Sequence, residues 1–359
     1  MNKIKVDSGE LAKVMKTIGR CLDKRSMIPA NVQILHDAGR LTICATNGVF
    51  IGEMSVPVPG GKGETFCVDG EMFGRVVNLN RGMIDITWDE KNCALKGTGR
   101  TRLPILSATV TGPDALSGDA VTVKAEHFKR AHRMVSYAIC TDQARPMLTG
   151  VYTETDGNEM RLAALDGGQM AVESVPCGGD SLSVTIPGAF MDIVSAAVTA
   201  GEELTLVTNG RIIQAKTDHM TLQCSLLQGK YPDFRRVIPQ TFATEALVNA
   251  EKLLDALKVG VAVNNGLKTI KMIAGDNNLT ITNNSAFADY EAKIPCESTG
   301  GKISIAFNDQ QLMNTVSVLE TDDILLKFNT SVSPVIIQAK GESGIHICMP
   351  IRLQEAGKE

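Results

Sequence analysis

Three stretches of this chain align with one another without a gap, and their spacing decides most of what it can fold into. The 17-residue windows begin at Leu41, Met160 and Leu279, so successive copies lie 119 residues apart. Each starts with an alternating strand (Leu41/Ile43, Met160/Leu162, Leu279/Ile281) and passes through a polar or small turn. Each then ends on a second strand stopped by Pro57, Pro176 or Pro295. Period-2 alternation turns one face of a strand to a core, and steps such as Asn47-Gly48 and Asp166-Gly167-Gly168 supply the backbone a hairpin needs. A repeat on this scale means one domain present three times. The length agrees, because 359 residues exceed the roughly 250–300 that one hydrophobic core sustains. The expected domains are residues 1–118, 119–243 and 244–353, followed by a polar C-terminal tail at 354–359.

A finer period lies inside the first. A strand-closing apolar residue recurs at Val6, Val68, Val123, Ile186, Val248 and Phe307. Five residues after each stands another, at Leu11, Phe73, Phe128, Met191, Leu253 and Leu312. Helical spacing follows these anchors, as in Leu11, Val14, Met15 and Ile18. Asp7-Ser8, Asp69, Pro187 and Asn249 stand where N-cap or N1 residues belong. The segment Ile212-Ile213-Gln214-Ala215-Lys216 returns unchanged at Ile336-Ile337-Gln338-Ala339-Lys340. Each domain therefore reads as two units of strand, helix and strand meander. The expected class is α+β, with six half-domains per chain and twelve helices if two chains associate. Such units can join edge to edge, hiding strand edges that would otherwise template aggregation. A closed ring completed by a symmetric dimer is one solution.

Composition narrows the function. With 43% apolar and 21% charged residues the chain is too apolar for disorder. No apolar run reaches the ~18 residues of a membrane span, and no signal-peptide core follows Met1. A cytoplasmic protein without membrane contact is expected. Nine scattered cysteines, none in a Cys-x-x-Cys pair, read as small buried side chains in a reducing compartment, not as a zinc site or disulfide framework. His127 and His132 are five apart and do not share a helix face as a metal pair would. No metal and no cofactor are expected. The net charge of −4 alone argues against nucleic acid. The six helix windows nevertheless carry +2 together, leaving −6 elsewhere, and the excess gathers in the first and third helices. A solvated helix face is the plain explanation of such a patch; binding a phosphate backbone needs no more than the same patch.

Nothing catalytic stands out. Pro59-Gly60-Gly61-Lys62-Gly63 lacks phosphate-loop spacing, and Gly97-Thr98-Gly99-Arg100 lacks the third glycine of a dinucleotide fingerprint. Cys140 lies near Asp142 with no histidine in local register. Asp142-Gln143-Ala144-Arg145-Pro146 reads equally as a site or as an Asp-capped turn. A non-enzymatic binding or scaffold protein is expected.

Four motifs then carry a resemblance. They are Tyr231-Pro232-Asp233-Phe234-Arg235-Arg236-Val237-Ile238-Pro239, Arg145-Pro146-Met147-Leu148-Thr149-Gly150-Val151, Ala164-Leu165-Asp166-Gly167 and Cys348-Met349-Pro350-Ile351-Arg352-Leu353. Together with the length and the nested repeats, they resemble the bacterial sliding clamp family, the beta subunit of DNA polymerase III. The resemblance implies a head-to-tail homodimeric ring of six domains, helices inside, around double-stranded DNA read without sequence preference. It implies processivity without chemistry, in the cytoplasm at the nucleoid. The implied partners are the polymerase III alpha subunit, the clamp loader and other proteins carrying a clamp-binding motif. These would enter a peptide groove formed by Leu148, Leu165, Gly167, Met170, Pro232, Arg236, Val237, Ile347, Met349, Pro350, Ile351 and Arg352. For DNA, Arg25 matches a family arginine; Lys13, Lys16, Arg20, Lys129, Arg130 and Arg133 are added by charge and helix register. Leu103 and Ile105 match the subunit contact, and Val263 lies near its other side. Gly168-Gln169 departs from the family's His-Arg, removing a cation and an aromatic ring from the groove edge. The alternatives are a ring-shaped peptide-binding hub without DNA and a hydrolase using Cys140 or another nucleophile.

Overall fold

The computed structural model of the chain describes residues 2–22, 28–264, 266, 268–284 and 288–352. Across them one motif is laid down six times: a strand, a helix, then three antiparallel strands. The helices are α1 (Ser8–Ile18), α2 (Gly70–Leu79), α3 (Ala125–Ser136), α4 (Gly188–Ala197), α5 (Ala250–Ala262) and α6 (Asp309–Ser317). The anchors sit as the pattern requires. Val6, Val68, Val123, Ile186, Val248 and Phe307 are buried on the strands that precede the helices, and the residues five later are buried on the helices. Asp7, Asp69 and Asn249 cap α1, α2 and α5 by accepting from first-turn amides, which satisfies donors the helix itself leaves open. Asn308 does the same for α6 and escaped the sequence reading.

Contacts group the chain into two compact units. One comprises Met1–Lys129, Asp156–Asn158 and Cys177–Leu227; the other Arg130–Thr155, Glu159–Pro176 and Gln228–Glu359. Residues 119–243 thus contribute to both.

In the first unit the meander of α1 continues into that of α4. Strand Met220–Ser225 pairs antiparallel with Phe50–Pro57, from Met220 opposite Met54 to Cys224 opposite Phe50. Gly52 lies at this seam under α1. A Cβ there would stand 2.8 Å from Cys21 Sγ and 3.0 Å from Leu222, so the close approach of helix to sheet needs glycine. A separate four-stranded sheet ends at Arg100–Pro104, whose one strand neighbour among the described residues is Asn92–Lys96.

In the second unit Gln169–Pro176 pairs antiparallel with Ile345–Cys348, from Gln169 opposite Cys348 to Val172 opposite Ile345. A continuous sheet runs from Gly150–Asp156 through this seam to Thr244–Asn249, then through Asp289–Gly300 to Ile303–Asn308. Two apolar clusters flank it. One lies under α5 and α6, around Leu253, Phe307, Leu312 and Phe328. The other occupies the opposite face at the seam.

Candidate functional site

The second cluster begins with a turn. Asp166 Oδ1 accepts from Gly168 N (2.7 Å) and Gln169 N (2.8 Å), and Gly167 takes φ 100°, a backbone that an L side chain would strain. The turn fixes the register in which Leu165 faces Met170 and Met170 faces Ile347. Alternation then puts Ala163, Leu165, Met170, Val172, Ile345, Ile347 and Ile336 on one face. Over it lies the 3-10 turn Phe234–Val237. Tyr231 stacks on Tyr152 at 5.3 Å between ring centroids, and Phe234 tilts against the same ring at 5.9 Å. The Arg235 guanidinium sits 4.7 Å above the Phe234 ring and pairs with Glu154, which also holds Arg161 at 2.8 Å. Burial raises the Glu154 carboxyl, but the two arginines outweigh it and hold the group below the usual carboxylate range.

The expected groove residues fall into three sets. Met170 and Ile347 form the buried floor, while Leu148, Leu165 and Met349 are half-buried on it. Pro232, Arg236 and Val237 are exposed on and before the turn above, with Arg236 ion-paired to Asp233 at 2.9 Å; Gly167 is exposed beside Arg145. Pro350 and Ile351 lie outside the cluster, bridging to Phe307 and hydrogen-bonded to Ala306 O at 2.8 Å, and Arg352 is exposed. The structure adds Tyr152, Tyr231, Phe234 and Ile336. Tyr231 and Phe234 were visible inside the nine-residue motif. Tyr152 and Ile336 gave no local signal, because only strand pairing brings them to this face.

The candidate cations are mostly engaged. Lys13 pairs with Glu10 at 2.7 Å, Arg20 donates to Asp192 O and Lys129 to Val198 O. Arg130 pairs with Glu342 and Arg133 with Glu320. Lys13, Lys16 and Arg20 border a cavity of about 380 Å³ shared with Glu202 and His219. Arg25 and the tail 354–359 lie outside the described residues. Leu103 is already buried within its own chain, and Ile105 and Val263 are half-buried. Cys140 is buried, and Asp142 accepts from Ala144 N and from Arg145, as a turn residue does. No helix among the described residues is long and apolar enough to cross a membrane.

The chain and its fold have counterparts among known proteins. Residues 122–233 match the family model of the DNA polymerase III beta subunit, central domain, and residues 235–352 that of its C-terminal domain. The chain belongs to the beta sliding clamp family. It is similar to the beta sliding clamp of Pseudomonas putida, 24% identical over 96% of this chain and 98% of the relative. It is 23% identical to the clamp of Escherichia coli K12, over 98% of this chain and all of that one. Among solved structures, the DNA polymerase III beta subunit of Thermotoga maritima superposes with a TM-score of 0.90 at 23% identity, covering 98% of this chain and 99% of the other. The sliding clamp of Bacillus subtilis gives 0.89 at 20% identity, with the same coverage. The protein is thus a DNA sliding clamp, a non-catalytic processivity factor of replication.

Proposed function

We propose that two copies of this clamp close head to tail into a ring around duplex DNA in the cytoplasm. There the ring tethers the polymerase and admits its clients at the apolar face of residues 148–170, 231–237 and 347–349. The three sequence blocks 1–118, 119–243 and 244–353 are its domains. One observation carries the reading. Each of the six motifs ends on a strand, and four of these final strands pair with one another within the chain, always antiparallel. Among the described residues, the two left over are Arg100–Pro104 and Asp289–Gly300, the latter paired over residues 289–295 only along Asn278–Asn284. A second copy offers each the partner it lacks.

The side chains suit that match. Arg100 and Arg102 are exposed on one edge, Asp289 and Glu291 on the other, where Glu291 is also paired with Lys293 of its own strand at 3.1 Å. The helices of these same two motifs expose Met72, Leu79 and Val259. At the internal seam of the first unit the corresponding helices, α1 and α4, touch, so α2 and α5 of two copies would meet in the same way. Burying such side chains is worth roughly 1.5–3 kcal/mol each as an upper figure. Leu103, being buried already, offers a partner its backbone.

Sedimentation tests closure: the wild type should run at twice the 38.4 kDa chain mass. Arg100→Glu with Arg102→Glu should weaken association, and Asp289→Arg with Glu291→Arg should restore it. A chain monomeric at all concentrations would sink the ring. Retention on DNA tests encirclement. A loaded ring should slip off linear DNA yet stay on nicked circles in salt that abolishes phosphate contacts. Equal salt-sensitive release from both would leave a peptide-binding hub.

A further inference from the structure

The window of α3 carries the largest positive excess of the six helix windows, yet both of its arginines are engaged. Arg130 and Arg133 stand one turn apart on one face of the helix, opposite the buried Phe128, Ala131 and Val135. Each meets a carboxylate from much later in the chain. Glu342 reaches Arg130 from the turn between Val335–Ala339 and Ile345–Cys348, which Gly341 makes at φ 82°. Glu320 reaches Arg133 from just past the end of α6. Arg133, by hydrogen bond and charge, and Arg130, by charge, hold the Glu320 carboxyl below the usual carboxylate range against the effect of burial. The four side chains thus form one neutral group. They keep between 37% and 64% of their surface exposed, so a solute can reach them. A carboxylate offers a guanidinium the same acceptor chemistry as a phosphate.

Resting on the ring proposed above, we propose that Glu320 and Glu342 are internal phosphate surrogates. They occupy Arg130 and Arg133 between encounters with the duplex, so α3 exchanges partners as DNA moves past and does not grip it. An arginine that takes a phosphate must release a carboxylate, and exposed pairs of this kind are worth little in either direction. The two glutamates therefore set how tightly this helix holds DNA, which the number of its cations alone does not.

The test uses the intact chain and a short fluorescein-labelled linear duplex, with affinity read by anisotropy across a salt series. Glu320→Gln with Glu342→Gln should steepen the salt dependence by about two phosphate contacts. On lowering salt fourfold, that variant should gain roughly tenfold more affinity than the wild type gains. In a chain that also carries Arg130→Gln and Arg133→Gln, the glutamate changes should lose most of this effect, because they act through the arginines. Glu90→Gln with Glu159→Gln removes the same charge at exposed positions elsewhere and should leave the slope as in the wild type. Urea unfolding should be the same for the wild type and the Glu320/Glu342 variant. A slope unchanged in that variant, or steepened equally without the arginines or by the control, overturns the surrogate role. The ring stands in that case if the wild type stays on nicked circles and slips off linear DNA. Equal release from both overturns the ring, and the surrogate role with it.

Discussion

The chain contains the same seam twice, and the two copies differ on the face away from the helices. At the first, Phe50–Pro57 against Met220–Ser225, that face is polar and covered. Gln214 Nε2 donates to Gln223 Oε1 at 2.6 Å and to Asp114 O, and Val110 N donates to Gln33 Oε1 at 3.2 Å. Gly112 lies so close to Glu53 and Cys44 that a Cβ would not fit. At the second, Gln169–Pro176 against Ile345–Cys348, the same face is apolar, and the connecting segment lays Tyr231 and Phe234 along one side of it. The linker between repeats closes one seam by hydrogen bonds and furnishes the other with aromatic walls. The same antiparallel pairing thus lies under a hydrogen-bonded cover in one place and beside an open apolar face, the proposed client surface, in the other. What differs is which side chains the alternation sends outward.

This contrast can be tested by mutation. Ile347→Ala should have the largest effect. It empties a fully buried site on the floor of the second seam and should cost roughly 2–5 kcal/mol in urea unfolding, together with client affinity. Gln214→Leu attacks the first seam. It leaves Asp114 O and Gln223 without their donor and should cost about 1–3 kcal/mol while leaving client affinity untouched. A Gln214→Leu variant that acquired peptide binding would show that the linker alone separates the two seams.

Glu154→Gln should cost less, up to about 1 kcal/mol, because Arg235 is half in solvent. Its pH dependence has a definite sign. The folded carboxyl lies below its usual range, so its contribution is present above about pH 4.3 and fades as pH falls through the lowered value. Mild acid should therefore narrow the gap between wild type and Glu154→Gln. No narrowing would mean the arginines do not stabilise the turn through this charge. The smallest effect on stability belongs to Glu320→Gln, which releases Arg133 from an exposed pair. Unfolding should be unchanged, whereas the salt slope of equilibrium binding to a short linear duplex should steepen by about one phosphate contact. An unchanged slope would place Arg133 away from the duplex.

Thiol chemistry separates covered from open positions. Burial, reinforced by Glu53, pushes Cys44 up to about 12. It should resist alkylation at pH 8 until the linker over the first seam is displaced.

Much of this was legible before any coordinates. Val6 with Leu11, and Val248 with Leu253, announced a strand entering a helix because both periodicities are local, two along a strand and 3.6 along a helix. The nine-residue motif at Tyr231 pointed to the turn over the second seam through its resemblance to the family signature. Tyr152 and Ile336 were illegible, as strand residues ordinary in their own neighbourhoods. A charge count along the chain is likewise blind to pairing: Arg130 meets Glu342, more than 200 residues away, and Arg133 meets Glu320.

The sequence alone determined the number of motifs, the order of elements within each, and the buried anchor on the strand and on the helix of each motif. These depend on spacing along the chain, and spacing is written in it. Only the tertiary structure decided which final strands mate and which two remain unpaired. It also decided which seam its linker seals, and that Glu320 and Glu342 meet the arginines of α3. Those outcomes follow from residues far apart in the chain competing for the same edges and faces, and no local pattern encodes who wins.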